Sequence, residues 1–187
     1  MTLPISRDKS WALVKKYNQD KSDLNHYLES EAVMRALAKH FGEDQEYWGM
    51  LGLLHDIDWG ITKDNIQEHL TKAPEILSDA GFDDEFIETI VSHGYGFDVA
   101  DLKDKKRTEK IQFALACAET ITGLIHSYAL MRESKMDGLE ISGLRKKFKD
   151  KRFAAGVDRE IIKECEQIGL SIEEFFALSI NAIKDIA

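Results

Sequence analysis

Six side chains of metal-binding type fall where helical spacing turns them inward: His26, His55, Asp56, His69, His93 and Glu119. Neutral imidazoles and carboxylates together suit divalent transition ions. Buried together without a partner they are costly, because each leaves water for an apolar surrounding. His55 lies four residues after Leu51, so its own helix carries the His55-Asp56 pair inward. Gly49 and Gly52 on that helix leave room for a close neighbour. His26 shares a stripe with Ser30, Val33, Leu37 and Phe41, and His93 follows Phe86 and Ile90 at helical spacing. Glu119 sits on the stripe of Ile111, Leu115 and Thr122, with no basic residue three or four places away. One inward histidine is ordinarily a hydrogen-bonded core residue. Six such groups on five successive segments call for a shared partner, and facing helices of a bundle are where proteins build metal sites.

The elements that must position these groups read as helices throughout. Apolar residues recur at a 3.6-residue period and only two prolines occur, which points to an all-α chain. Ser6 caps a first helix with Trp11, Val14 and Tyr17 on one face. A second runs from about Asp23 to Phe41 and stops at Gly42, and a third runs from about Glu43 to the His55-Asp56 pair. Asp64 to Ala80 reads as a helix kinked at Pro74. Asp83 caps the helix of His93. Asp98 to Lys110 reads as an exposed charged loop, and a long helix spans about Thr108 to Arg132. Two further helices open at Asp158 and at the capping box Ser171 to Glu174, beyond a basic stretch from Arg145 to Arg152 that reads as a solvated face. The expected organisation is one domain over residues 1–187, with a core of about 18–133 and a helical extension of about 134–187.

Composition narrows the partners. With 25 Lys+Arg against 34 Asp+Glu the net charge is −9, so a nucleic acid duplex or an anionic membrane is repelled at long range. Cys117 and Cys165 are the two cysteines, each within a helical pattern, which suits buried thiols in a reducing compartment. Met1 to Ser10 contains no apolar leader-like run. A cytoplasmic protein acting on a small molecule is the expectation.

The order and the local motifs together resemble the HD superfamily of metal-dependent phosphohydrolases. The resemblance is carried by His26-x-x-x-Ser30, by Gly52 to Asp58, by His69-x-x-x-Ala73-x-Glu75-Ile76-Leu77, by Val91-Ser92-His93 and by Ala118-Glu119-x-x-Thr122-Gly123-Leu124. The run Phe148 to Val157 is similar to an extension in one branch of small, uncharacterised members. The resemblance implies that His26, His55, Asp56 and Glu119 hold a first divalent ion (Mn, Fe, Zn, Ni, Co or Mg). It implies a second ion, or the substrate phosphate, at His69 and His93, with Asp56 bridging. The family's last ligand is normally Asp, so Glu119 departs from it by one methylene.

The activity expected is hydrolysis of a small phosphate ester or nucleotide. Asp56 and Asp58 would be its catalytic carboxylates, Asp58 by orienting ligands or a water. Lys63 and Lys72 are candidate phosphate contacts. His40 suits a helix C-terminus, and His126 reads as packing. Two rival readings share the scaffold: a di-iron oxygenase, and a non-catalytic module stabilised by metal.

Overall fold

The chain is described here by a computed structural model covering residues 2–187. Six of its helices start where a side chain accepts their free amides. Ser6 caps α1 (Arg7–Tyr17), Asp20 caps α2 (Lys21–Phe41) and Asp44 caps α3 (Gln45–Leu54). Asp83 caps α6 (Asp84–Val91), and Asp158 caps α9 (Arg159–Lys163). The capping box of Ser171 and Glu174 opens α10 (Ile172–Lys184). Between these lie α4 (Trp59–Thr62), α5 (Ala73–Asp79), α7 (Lys110–Leu130) and α8 (Ile141–Lys149). No strand occurs among the described residues, and the protein is all-α.

The α2–α3 hairpin is the frame of the fold. Gly42, left-handed at φ 73°, ends α2 and lets the chain turn back. A Cβ at Gly52 would stand 2.6 Å from the Ser30 carbonyl oxygen, so only glycine permits α3 to lie this close to α2. That approach brings His55 alongside His26. Against the hairpin lies α7, whose Leu115, Cys117, Ala118, Ile121 and Leu124 are fully buried. It is long and apolar enough to cross a membrane by length and composition, but here it is a core helix of the bundle. Leu139, Leu144, Ile162, Phe175, Phe176 and Ile180 from the C-terminal segments join the same buried cluster as α2 and α7. α10 packs directly on α2.

Two expectations are corrected. Asp64 to Ala80 is not one kinked helix: a 3-10 turn (Ile66–Glu68) and a loop precede α5, and Pro74 stands in its first turn. There a missing N–H costs nothing, so Pro74 starts a helix instead of bending one. His69 therefore lies in a loop, followed by buried Leu70 in the left-handed region at φ 66°. The stretch from Asp98 to Lys110 is not simply an exposed loop either. Val99 and Leu102 are buried, and Arg107 runs inward to pair with Glu164 at 2.6 Å.

Candidate metal centre

The centre is built where α2 and α3 are closest. His26 Nε2 lies 3.0 Å from His55 Nε2, and the outer nitrogens of both rings are already engaged. His55 Nδ1 meets the Gly52 carbonyl at 2.8 Å, which can only accept, so Nδ1 carries the proton. His26 Nδ1 meets Thr122 Oγ1 at 2.8 Å, and that hydroxyl gives its own proton to the Glu119 carbonyl at 2.7 Å. His26 Nδ1 is therefore also the protonated nitrogen. Each ring presents a lone pair to the other across 3.0 Å. Burial keeps both neutral: it lowers the pKa of His26, and it brings that of His55 down to about 3 despite the neighbouring Asp56 charge. A cation is the partner that suits two facing lone pairs, so the donor set fits a metal.

Asp56 supplies the adjoining carboxylate, and its two oxygens face different groups. Oδ2 is 3.5 Å from His55 Nε2 and 3.9 Å from His26 Nε2. Oδ1 is 3.3 Å from His69 Nε2 and 3.2 Å from His93 Nε2. Two groups able to hold a metal result, His26–His55–Asp56 and Asp56–His69–His93, with Asp56 common to both. Tyr27 steadies this turn by donating from its hydroxyl to the Asp56 carbonyl at 3.1 Å.

The second group is aimed in the same way as the first. His93 Nδ1 donates to the Ile90 carbonyl at 2.7 Å, leaving Nε2 for the centre. His69 Nδ1 donates to Asp58 Oδ1 at 3.2 Å, and its ring lies edge-on to Trp59 at 5.2 Å. Asp58 is wholly buried, and its other oxygen accepts from the amides of Lys72 and Ala73 at 3.0 and 3.1 Å. It does not line the cavity at the centre. Asp58 thus holds His69 and the start of α5, an orienting contact made from outside the cavity lining.

Charge is unevenly shared. Burial by itself would raise the pKa of Asp56, but His55, His69 and His93 hold it well below the usual carboxylate range. His69 is pushed up to about 10: burial opposes this, and the charges of Asp56 and Asp58 overcome it. Glu119, on α7, is pushed up to about 7 by burial, against the pull of His93 and of the Thr120 hydroxyl bonded to it. Its carboxylate lines the same cavity but belongs to neither group of clustered ligand atoms.

A cavity of about 520 Å³ opens onto these residues, with Trp59, Phe97, Val99 and Val157 among its walls. Lys63 and Lys72 are not among its lining. Lys63 pairs with Asp23 at 3.2 Å, and Lys72 lines a separate groove beside Glu68 and Glu75. The loop around His69 carries both away, so neither is placed to meet a phosphate at the centre. His126 meets Glu29 at 3.3 Å.

Sequence reasoning missed several contributors. Thr122 fixes His26 although its residue type carries no ligand signal. Arg107 donates to the carbonyls of Ser92, His93 and Tyr95 at 2.9, 3.2 and 3.1 Å and so ties down the His93 turn. Val157 and Asp158 reach the cavity from the C-terminal extension. An arginine in a charged stretch gives no sign of burial, and a distant valine gives none of its neighbours.

The family model described as HD domain matches residues 23–139. No curated protein and no solved structure matches the chain.

Proposed function

Because the chain belongs to the HD-domain family, we propose that it is a metal-dependent phosphohydrolase acting on a small phosphate ester or nucleotide. The observation that carries this reading is Asp56, one carboxylate facing two imidazole pairs on the floor of an open cavity. His26, His55 and Asp56 would hold one divalent ion, and Asp56, His69 and His93 a second. Glu119 is the carboxylate we add to the first ion's ligands. A divalent ion there brings the pKa of a water towards neutrality and offsets charge on a phosphoryl group.

The chain's own residues do the rest. His26 and His55 present lone pairs whose direction is fixed by Thr122 and Gly52. Asp58 and the Ile90 carbonyl aim His69 and His93 in the same manner. Trp59, Val99 and Val157 line the cavity with apolar surface and limit bulk water around the ester. In the reaction a water oxygen would form the new bond to phosphorus as the ester P–O bond breaks, and the proton that the water gives up would go, directly or through solvent, to the departing alkoxide.

Gly156 to Asp158 line the cavity, so we take the C-terminal helices to belong to the same functional unit, residues 1–187 forming one domain. A cytoplasmic location is part of this reading, supported by the buried free cysteines. The test is metal analysis of purified protein together with a panel of phosphate esters assayed with Mn, Fe, Zn, Ni, Co and Mg. Metal content with ester hydrolysis is expected. Iron content with oxygen consumption and no hydrolysis would replace the reading with an oxygenase.

A further inference from the structure

The apolar part of the cavity lining has a composition that selects substrate. It is made of Trp59, Ile66, Phe97, Val99 and Val157, with Gly156 leaving space between them. Ile66 and Phe97 stand 56% and 41% exposed, an apolar surface left open at the mouth. No lysine or arginine lines this cavity among the described residues, while Asp98 and Asp158 do. The cations nearest in sequence already have partners, Lys103 pairing with Asp98 itself at 3.8 Å. Arg159 gives its guanidinium to the carbonyls of Phe153, Ala154 and Val157 (2.5 Å to each of the last two). Arg107 is paired with Glu164. Lys151 lies in the adjoining groove, shared with Asp158 and Glu160.

We infer that the site takes a phosphate monoester with a single phosphate and an uncharged, apolar alcohol part, and that Val157 and Phe97 set this preference. The inference rests on the phosphohydrolase reading and deepens it. An anionic group at the metal centre has imidazoles and metal to meet it, but a second anionic group elsewhere in the cavity meets hydrocarbon and two acids, Asp98 (paired with Lys103) and Asp158, with no lysine or arginine in the lining. Such a group gives up water for little counter-charge. An aromatic or branched aliphatic body instead buries area against Trp59, Phe97 and Val157, and its affinity grows with that area. Nucleoside polyphosphates are disfavoured on the same ground. The wall comes partly from the C-terminal extension, so Val157 lies outside the 23–139 span of the family match while Phe97 lies within it.

The test is calorimetric binding of non-hydrolysable phosphonates to metal-loaded protein. Benzylphosphonate should bind at least about tenfold tighter than methylphosphonate. Adding a para-carboxylate to the benzyl ring should remove that gain. Val157→Ala should lower the ratio of benzylphosphonate to methylphosphonate affinity several-fold, and Val157→Asp should lower that ratio about tenfold. Equal or tighter binding of the carboxylated ring, or a Val157→Asp variant that keeps the wild-type ratio, overturns the inference. The phosphohydrolase reading fails separately, if no phosphate ester is hydrolysed whatever the phosphonates do.

Discussion

His26 Nε2 and His55 Nε2 face each other at 3.0 Å across the α2–α3 hairpin, with the protons of both rings committed on the far side. The pairing exists because Gly52 lets the two helices approach to backbone contact. It also explains what a cation would supply to the centre. Two neutral lone pairs at hydrogen-bond distance repel, and burial makes protonating either ring unfavourable.

Metal should therefore stabilise the native state. At a concentration one hundred times Kd, a ligand bound only by the folded chain contributes about 2.7 kcal/mol. For a chain of this size that is about 5–11 °C in melting temperature. Calorimetric scans of chelator-stripped and reloaded protein check this. Coincident melts, with no metal found by elemental analysis, would remove the metal centre from the account.

Metal binding should also release a proton. The His69 pKa, held at about 10 by Asp56 and Asp58 against burial, lies above ambient pH, so His69 carries its extra proton in metal-free protein. Binding at Nε2 must expel it. Adding manganese or zinc to stripped protein at pH 8 in weak buffer with an indicator dye should liberate the His69 proton in addition to any from metal-bound water. In His69→Gln the release should fall by about one proton per chain, and an unchanged release in that variant would show that His69 stays protonated beside the metal.

Asp56→Ala should abolish hydrolysis while circular dichroism remains helical, because Asp56 is common to both ligand groups. A variant retaining more than about a tenth of the wild-type turnover rules out that shared role.

Glu119 separates two readings of one buried carboxylate. As a ligand, Glu119→Asp keeps metal binding with altered preference, and Glu119→Gln weakens it at least about tenfold. Titration of stripped protein with manganese or zinc reads the difference directly. A Gln variant that binds as tightly as wild type takes Glu119 out of the ligand set.

Arg107→Leu should cost about 3–5 kcal/mol in urea unfolding, since it leaves Glu164 and three carbonyls without their donor. It should also loosen metal held by His93, the residue whose turn Arg107 secures. A loss below about 1 kcal/mol would mean that water replaces the guanidinium there.

What the sequence determined by itself was whatever depends on local periodicity and residue chemistry. Helical spacing put His26, His55 and His93 on inward faces, the caps at Ser6, Asp83, Asp158 and Ser171 marked where helices start, and the ordered histidines and acids carried the family resemblance. The tertiary structure decided what depends on contacts between distant segments. It fixed which imidazole Asp58 meets, drew Lys63 and Lys72 away from the centre, and buried Arg107 against Glu164 57 residues away. It also set Val157 against the cavity built by α2 and α3. Periodicity tells which way a side chain leaves its helix. Which atoms it meets there is fixed only when separate helices close on one core, because the lone pairs, charges and apolar walls that define this site come from different parts of the chain.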